Sequence, residues 1–255
     1  MEKNLLIAGK EVPLGNDFAS GAASKQRKII ITKTHNSSDS DDSEMVPSGI
    51  TTVVWNRPSA LSSRNLLLKC LNEFTYLDEC VLIFDETYFV SKYGSMVNTS
   101  ENIKIIEELI ASYQYLTMEI VARVQKINAN AAEKHPTRLI FLFKPNTSLS
   151  ESIVSMTGRT SSTISSPLIS AAAGAFKSYA ENTAATLYES EDIHPLLVMS
   201  EPGNEYTPKD AALASWLFEY IDSLDSLKRP LTPKQKLSWI KAGSRTPGGF
   251  GGFFS

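Results

Sequence analysis

KIIITKTHNSSDSDDSEMVPSGITTVVWNR, residues 28–57, sets two β-branched runs, 28–32 and 51–55, on either side of a polar, turn-rich interval. Both runs have the composition of strands. A strand that serves a phosphate ligand turns into a glycine-rich loop, whose N–H groups and following helix receive the anion. No G-x-G-x-x-G lies between Lys28 and Arg57, and the interval instead carries Asp39, Asp41, Asp42 and Glu44. Residues 33–50 have too little apolar surface to dock as an amphipathic helix, so a loop or a single turn is expected there, without a helix dipole.

Outward from this stretch, strand and helix patterns alternate. A helix over 62–74 places Leu66, Leu67, Cys70, Leu71 and Phe74 on one face. CVLIF at 80–84 and RLIFLF at 138–143 are continuous apolar runs, the mark of strands covered on both sides. The longest helix spans 102–128, a small-residue helix 165–187, the strand HPLLVM 194–199, a further helix 209–224 and a last strand 237–241. Strands joined through helices of this length need right-handed crossovers, so the reading is α/β: one doubly wound domain over 25–255, its sheet mostly parallel with flanking helices. Residues 1–24, punctuated by Gly9, Pro13, Gly15 and Gly21, read as an N-terminal arm or hairpin. An acidic loop at 36–49 and a Gly/Phe-rich tail at 243–255 lie within the domain.

Composition narrows the function classes. Of 255 residues, 42% are hydrophobic and 21% charged, which suits a core-forming protein. A net charge of −3 and a pI near 5.7 give no basic face for nucleic acid. No run reaches the ~20 apolar residues that span a bilayer, and the start MEKNLLIAGKEVP has too short an apolar stretch for a signal peptide. Cys70 and Cys80 fall in core positions, as thiols of a reducing, cytoplasmic compartment do. His35, His135 and His194 are scattered over separate elements, and the acidic run lacks the glycine turn of a calcium loop, so no metal site is expected.

From about Lys28 to Phe250, the order and spacing of elements resemble the short-chain dehydrogenase/reductase family, which has a Rossmann-like fold. Pro202-Gly203-Asn204-Glu205-Tyr206-Thr207, directly after HPLLVM, is similar to that family's P-G-x-x-x-T segment beside the nicotinamide. SAAAGAFKSYAENTAATL resembles its catalytic helix, and LTPKQKLSWIKAGSRTPGGFGGFF its final strand and tail. The resemblance implies a cofactor contact for Asp85, Pro202, Gly203 and Thr207, and for Asn56 and Arg57 a place near the adenosine ribose or its 2′-phosphate.

The departures point the other way. The resemblance sets Ile169 where the family has its catalytic tyrosine and Ala173 where it has the lysine. Neither side chain moves a proton, so the general acid of a carbonyl reduction is missing. The family serine falls near Ser155 or Met156, and Ser155 alone could only hydrogen-bond a carbonyl. Asp85-Glu86-Thr87-Tyr88 replaces the family's N-N-A-G turn, and Ile110 or Ala111 its helix asparagine. Lys177 and Tyr179 stand in the wrong order to substitute. The sequence therefore reads as a catalytically inactive, dehydrogenase-like binding or scaffolding module without a cofactor. An oxidoreductase using NAD or NADP at an atypical site is the alternative. In a third reading the vacated cleft, lined by Asp85, Glu86, Ser155 and Tyr206, takes a neutral or cationic small molecule.

The remaining features are surfaces. Ile105, Ile106, Leu109, Ile110, Tyr113, Leu116, Thr117, Ile120, Val121 and Val124 form a wide apolar band on the long helix. By resemblance, the helices 102–128 and 165–187 would pair with their copies in a homodimer, with Ala171, Ala172, Ala173 and Gly174 permitting close approach. A protein partner fits the same reading.

Overall fold

KNLLIA, near the N-terminus, is the strand around which the sheet is organised. The computed structural model describes residues 2–34, 49–93, 102–146, 166–201, 204–227 and 237–245. In it β1 (Lys3–Ala8) pairs in parallel with β2 (Arg27–Lys33) on one side and with β4 (Glu79–Asp85) on the other. β3 (Ile50–Val54) ends one wing, and β5 (Thr137–Lys144), β6 (Ile193–Met199) and the two-residue β7 (Ile240–Lys241) form the other. The order is β3-β2-β1-β4-β5-β6-β7, parallel throughout, and it reverses direction between β1 and β4.

The reading of residues 1–24 as an arm or hairpin is corrected. β1 is a central strand, and the domain begins with it rather than at residue 25. Leu5, Leu6 and Ile7 are fully buried, and burying each such side chain stabilises the fold by about 1.5–3 kcal/mol. The turn residues after it lead into α1 (Asn16–Ala23), not into a second hairpin strand.

Alternation along the strands divides the core in two. β1 sends Leu6 and Ala8 to one face, where α2 (Ala60–Phe74), α5 (Ser112–Asn130) and α6 (Pro167–Leu187) pack with Leu66, Leu116 and Phe176. Leu5 and Ile7 face the opposite side, against Phe18 of α1 and Leu217 of α7 (Asp210–Asp225). α1 and α7 approach so closely at Gly21 that a Cβ there would lie 2.3 Å from the Ala211 carbonyl oxygen. A short α3 (Glu86–Tyr93) follows β4 directly. The long helix runs from α4 (Asn102–Ile106) through a π-helical turn (Glu107–Ala111) into α5. Ile105, Leu109, Tyr113, Leu116, Ile120 and Val124 of its apolar band are buried, whereas Ile106 is exposed. Cys70 and Cys80 are buried free thiols, and burial pushes Cys70 up to about 12. Among the described residues no helix is long and apolar enough to cross a membrane, and no group of His, Cys, Asp and Glu could hold a metal ion. The acidic residues 39–44 and the tail from 246 onward lie outside the described residues.

At the N-terminal edge of the strands, charge is buried with its partner. Arg27 donates Nε and Nη2 to the Glu79 carboxylate at 3.0 and 2.9 Å, and Nη1 and Nη2 to Asp222 at 2.7 Å each. Its guanidinium also lies 4.7 Å from the Phe218 ring centroid. Lys3 bonds Asp222 and Asp225 at 2.8 and 2.7 Å, and Arg138 bonds Asp225 at 2.5 Å. Carboxylates are unfavourable beside the negative end of a helix dipole. Here three cations from β1, β2 and β5 offset them and pin the end of α7 to the sheet.

Two outcomes are expected. Arg27→Met removes both hydrogen bonds to the buried Glu79 carboxylate, leaving it Lys3 at 3.4 Å, and costs up to about 3–5 kcal/mol, whereas Arg27→Met with Glu79→Leu regains most of that loss; urea midpoints measure both. Burial would raise Asp222 and Asp225, but Arg27 and Lys3 on the first, and Arg138 and Lys3 on the second, hold both below the usual carboxylate range. Their contribution is complete above the unfolded-state pKa and is lost as pH falls through the folded values, so the urea midpoint drops below about pH 4, and drops less in Asp222→Asn.

Candidate functional site

The turn between β1 and α1 is the closest passage of backbone over the sheet. Gly9 has φ +104°, and a Cβ there would stand 2.2 Å from the Ile83 carbonyl oxygen of β4. At Gly15 a Cβ would stand 2.3 Å from the Lys10 carbonyl oxygen. The turn is held by Val12 N donating to Thr32 O at 3.1 Å and Gly15 N to Glu11 O at 3.0 Å. Gly9 and Gly15 bracket the strand-to-helix turn after β1, the place of a phosphate turn in an open α/β sheet. At both positions the missing Cβ makes room for the chain's own backbone. The glycine-free interval between Lys28 and Arg57 follows β2 instead.

Arg57 is tied into the interior of the protein. It follows β3 and is buried, donating Nε to the Glu108 carbonyl at 3.0 Å and Nη1 to the Gly9 carbonyl at 3.2 Å and the Glu11 carboxylate at 3.1 Å. The π-helical turn presents that Glu108 carbonyl. Rings of Trp55, Phe89 and Tyr113 surround the guanidinium with centroids 4.9–5.0 Å away, each such contact being worth roughly 0.5–2 kcal/mol. Its Nη2 has no hydrogen-bond partner and sits within this aromatic shell. Burial would raise Glu11, but Arg57 and Lys92, and the hydroxyl that Tyr88 donates, hold it below the usual carboxylate range. Asn56 and Arg57 both line a cavity of about 360 Å³, with Thr34, Lys92, Lys104 and Glu108.

A larger cavity, about 810 Å³, opens at the C-terminal ends of β1, β4 and β5, where the strand order reverses. Open α/β sheets hold their ligands at that point. Asp85 and Thr207 both line it, as do Lys10, Lys144, Asn146 and Asp210. Lys10 Nζ lies 2.7 Å from Asp85 and 2.5 Å from Asp210; Lys144 Nζ lies 3.2 Å from Asp85 and also bonds Asp210. Burial would lower Lys10 and raise Asp85, but mutual attraction wins in both: Lys10 is held above and Asp85 below its ordinary value. Thr207 Oγ1 donates to the Glu201 carbonyl at 2.5 Å and lies 2.9 Å from Ser200 Oγ. Glu86 and Tyr206, expected to line this cleft, do not. Glu86 is buried, accepts from Asn146 N at 2.6 Å and is pushed upward by burial. Pro202, Gly203 and Ser155 lie outside the described residues.

Ile169 and Ala173 sit on the buried face of α6, 0% and 4% exposed, in the same apolar core as Phe141 and Phe176. Ser166 caps the helix by accepting Ile169 N at 3.3 Å. Lys177 lies over the Phe143 ring at 5.6 Å, and Tyr179 packs edge-on to Phe141. Lys10, Lys144 and Asp210 were missed in the sequence. The available signals were a lysine inside Gly9–Gly15, a lysine ending the apolar run RLIFLFK, and an aspartate opening a helix.

A nicotinamide dinucleotide fits part of this arrangement. The Gly9–Gly15 turn lies beside the cavity and Lys10 lines it, but Lys10 is paired with Asp85 and Asp210, the Val12 and Gly15 N–H groups are bonded within the chain, and Asp17, in the first turn of α1, opposes an anion there. The sequence matches no protein-family model and no curated protein. Solved structures of the same fold are numerous. A 3-ketoacyl-(acyl-carrier-protein) reductase from Brucella melitensis complexed with NADH has 12% identity and a TM-score of 0.58, over 94% of this chain and 96% of that one. A short-chain dehydrogenase from Mycobacterium smegmatis has 12% identity and a TM-score of 0.58, over 96% and 93%. A variant of ElxO with NADPH bound has 15% identity and a TM-score of 0.56, over 91% and 87%. The expectation of no cofactor is thereby corrected, since two of these structures of the same fold carry NADH or NADPH. The chain has the Rossmann-like fold of the short-chain dehydrogenases/reductases.

Proposed function

We propose that the protein is a nucleotide-binding module of the short-chain dehydrogenase fold that lacks the proton relay of a reductase and works as a dimeric binding or scaffolding component. The observation that carries this reading is the pair Ile169 and Ala173, buried in the apolar core where the resemblance sets the tyrosine and lysine. A dinucleotide laid across the crevice would place its pyrophosphate beside the Gly9–Gly15 turn, one half toward Asn56 and the other toward Thr207. A bound dinucleotide would supply a hydride donor or acceptor; Ile169 and Ala173 supply no phenol and no ammonium. Tyr88 is no replacement, because burial and then Glu11 push its pKa upward.

Dimerisation is supported by the outward faces of two helices. On α6 the exposed Ala171 and Gly174 are small, and a Cβ at Gly174 would meet nothing within 4 Å. Ile103, Ile106 and Met118 are exposed along the long helix. A protein partner could use the same surface.

Calorimetry with NAD(H) and NADP(H) is expected to show binding, with no change in nicotinamide absorbance across a panel of carbonyl and alcohol substrates. No heat at millimolar dinucleotide sinks the binding, and turnover sinks the silence. Asp17→Asn removes the opposing charge at the start of α1 and tightens binding about two- to five-fold. Light scattering is expected to give a dimer, and Gly174→Arg a folded monomer; a wild-type monomer overturns the assembly.

A further inference from the structure

Asp85 and Asp210 hold the same two lysines, yet they are built differently. Asp85 ends a strand in mid-sheet, is 2% exposed, and also accepts the Tyr88 backbone N–H at 3.2 Å. It belongs to the frame. Asp210 lines the 810 Å³ cavity from the first turn of α7 and gives one carboxylate oxygen to each lysine. The Lys209 cap contributes no side-chain bond, so the helix start adds its own positive field. Two ammonium groups, 12% and 7% exposed, and a sixteen-residue helix thus converge on one monovalent carboxylate.

We propose that Lys10 and Lys144 form a receptor for a phosphate or other strongly anionic group of a ligand in this cavity, and that Asp210 occupies the receptor as an internal stand-in. With Asp210 in place the four charges of this cluster sum to zero; with its carboxylate swung to solvent, two lysines face one aspartate, a local positive excess that an anion balances against the opposing charges of Asp17 and Glu205 elsewhere on the cavity wall. A phosphate offers more acceptor oxygens than a carboxylate and exploits both lysines and the free N–H groups of the helix start. The ligand must expel a tethered competitor, so the wild type binds weakly and α7 is released from the cleft as it does. The receptor does not depend on the dinucleotide reading: the anion can be the pyrophosphate of a dinucleotide or an acidic group on a second ligand.

Titrations of Asp210→Asn and wild type with inorganic pyrophosphate and with NAD(H) test this. The variant is expected to bind pyrophosphate at least ten-fold more tightly, and Lys144→Met in the same background to abolish the gain. A parallel gain for the dinucleotide assigns the anion to the cofactor; a gain for pyrophosphate alone assigns it to a second ligand. A gain for pyrophosphate with no dinucleotide binding in either protein leaves the receptor standing and removes the dinucleotide reading. A folded Asp210→Asn without tighter pyrophosphate binding, or a gain that survives Lys144→Met, overturns the proposal. Should circular dichroism show Asp210→Asn unfolded, wild-type melting decides: stabilisation by millimolar pyrophosphate that Lys144→Met lacks supports the receptor, and its absence overturns it.

Discussion

The backbone leaving β1 passes so near the end of β4 that the chain has room for nothing larger than hydrogen on Gly9. From that close contact the surrounding arrangement follows. The turn directs Glu11 into the interior, and a buried carboxylate needs a cation. Arg57, arriving from β3, supplies it and binds the Gly9 carbonyl as well. A buried arginine has donors to satisfy in turn, and the π-helical turn of the long helix offers the Glu108 carbonyl to one of them. Aromatic rings from β3, α3 and α5 close around the rest. Glycine turn, third strand and long helix are thereby coupled through a single guanidinium.

The two edges of the sheet use buried charge differently. At the N-terminal edge, Arg27 and its carboxylates lock α7 against the strands. Desolvating such ions is costly, and geometry this complete is what offsets it. At the C-terminal edge, the ring of Lys10, Asp85, Lys144 and Asp210 lines a cavity. One edge is a clasp, whereas the other faces space in which a ligand can compete. The same α7 is held at both ends, so an event at Asp210 acts on a helix anchored at Asp222 and Asp225.

Much of the fold was legible. CVLIF and RLIFLF lie within β4 and β5 because strands covered on both sides must be apolar at every position. The helices 62–74, 165–187 and 209–224 agree within two residues at each end with α2, α6 and α7. β1 was misread because KNLLIA is short and sits beside turn formers, a pattern shared by an edge arm and a central strand. With β1 read as an arm, Gly9 and Gly15 read as turn residues of that arm and not as the strand-to-helix turn of a central strand. Arg57 shows the same limit: nothing in its sequence neighbours signals the three rings, two carbonyls and one carboxylate that surround it.

By itself the sequence determined the α/β class, the direction of the sheet and the apolar identity of positions 169 and 173, because periodicity, run length and side-chain chemistry are local properties. Only the tertiary structure decided which strand is central, where the glycine turn lies, and that Lys10, Asp85, Lys144 and Asp210 meet. Those four residues come from positions spread over 200 residues of chain. Their meeting is a consequence of strand order, in which the buried strands β1, β4 and β5 lie side by side.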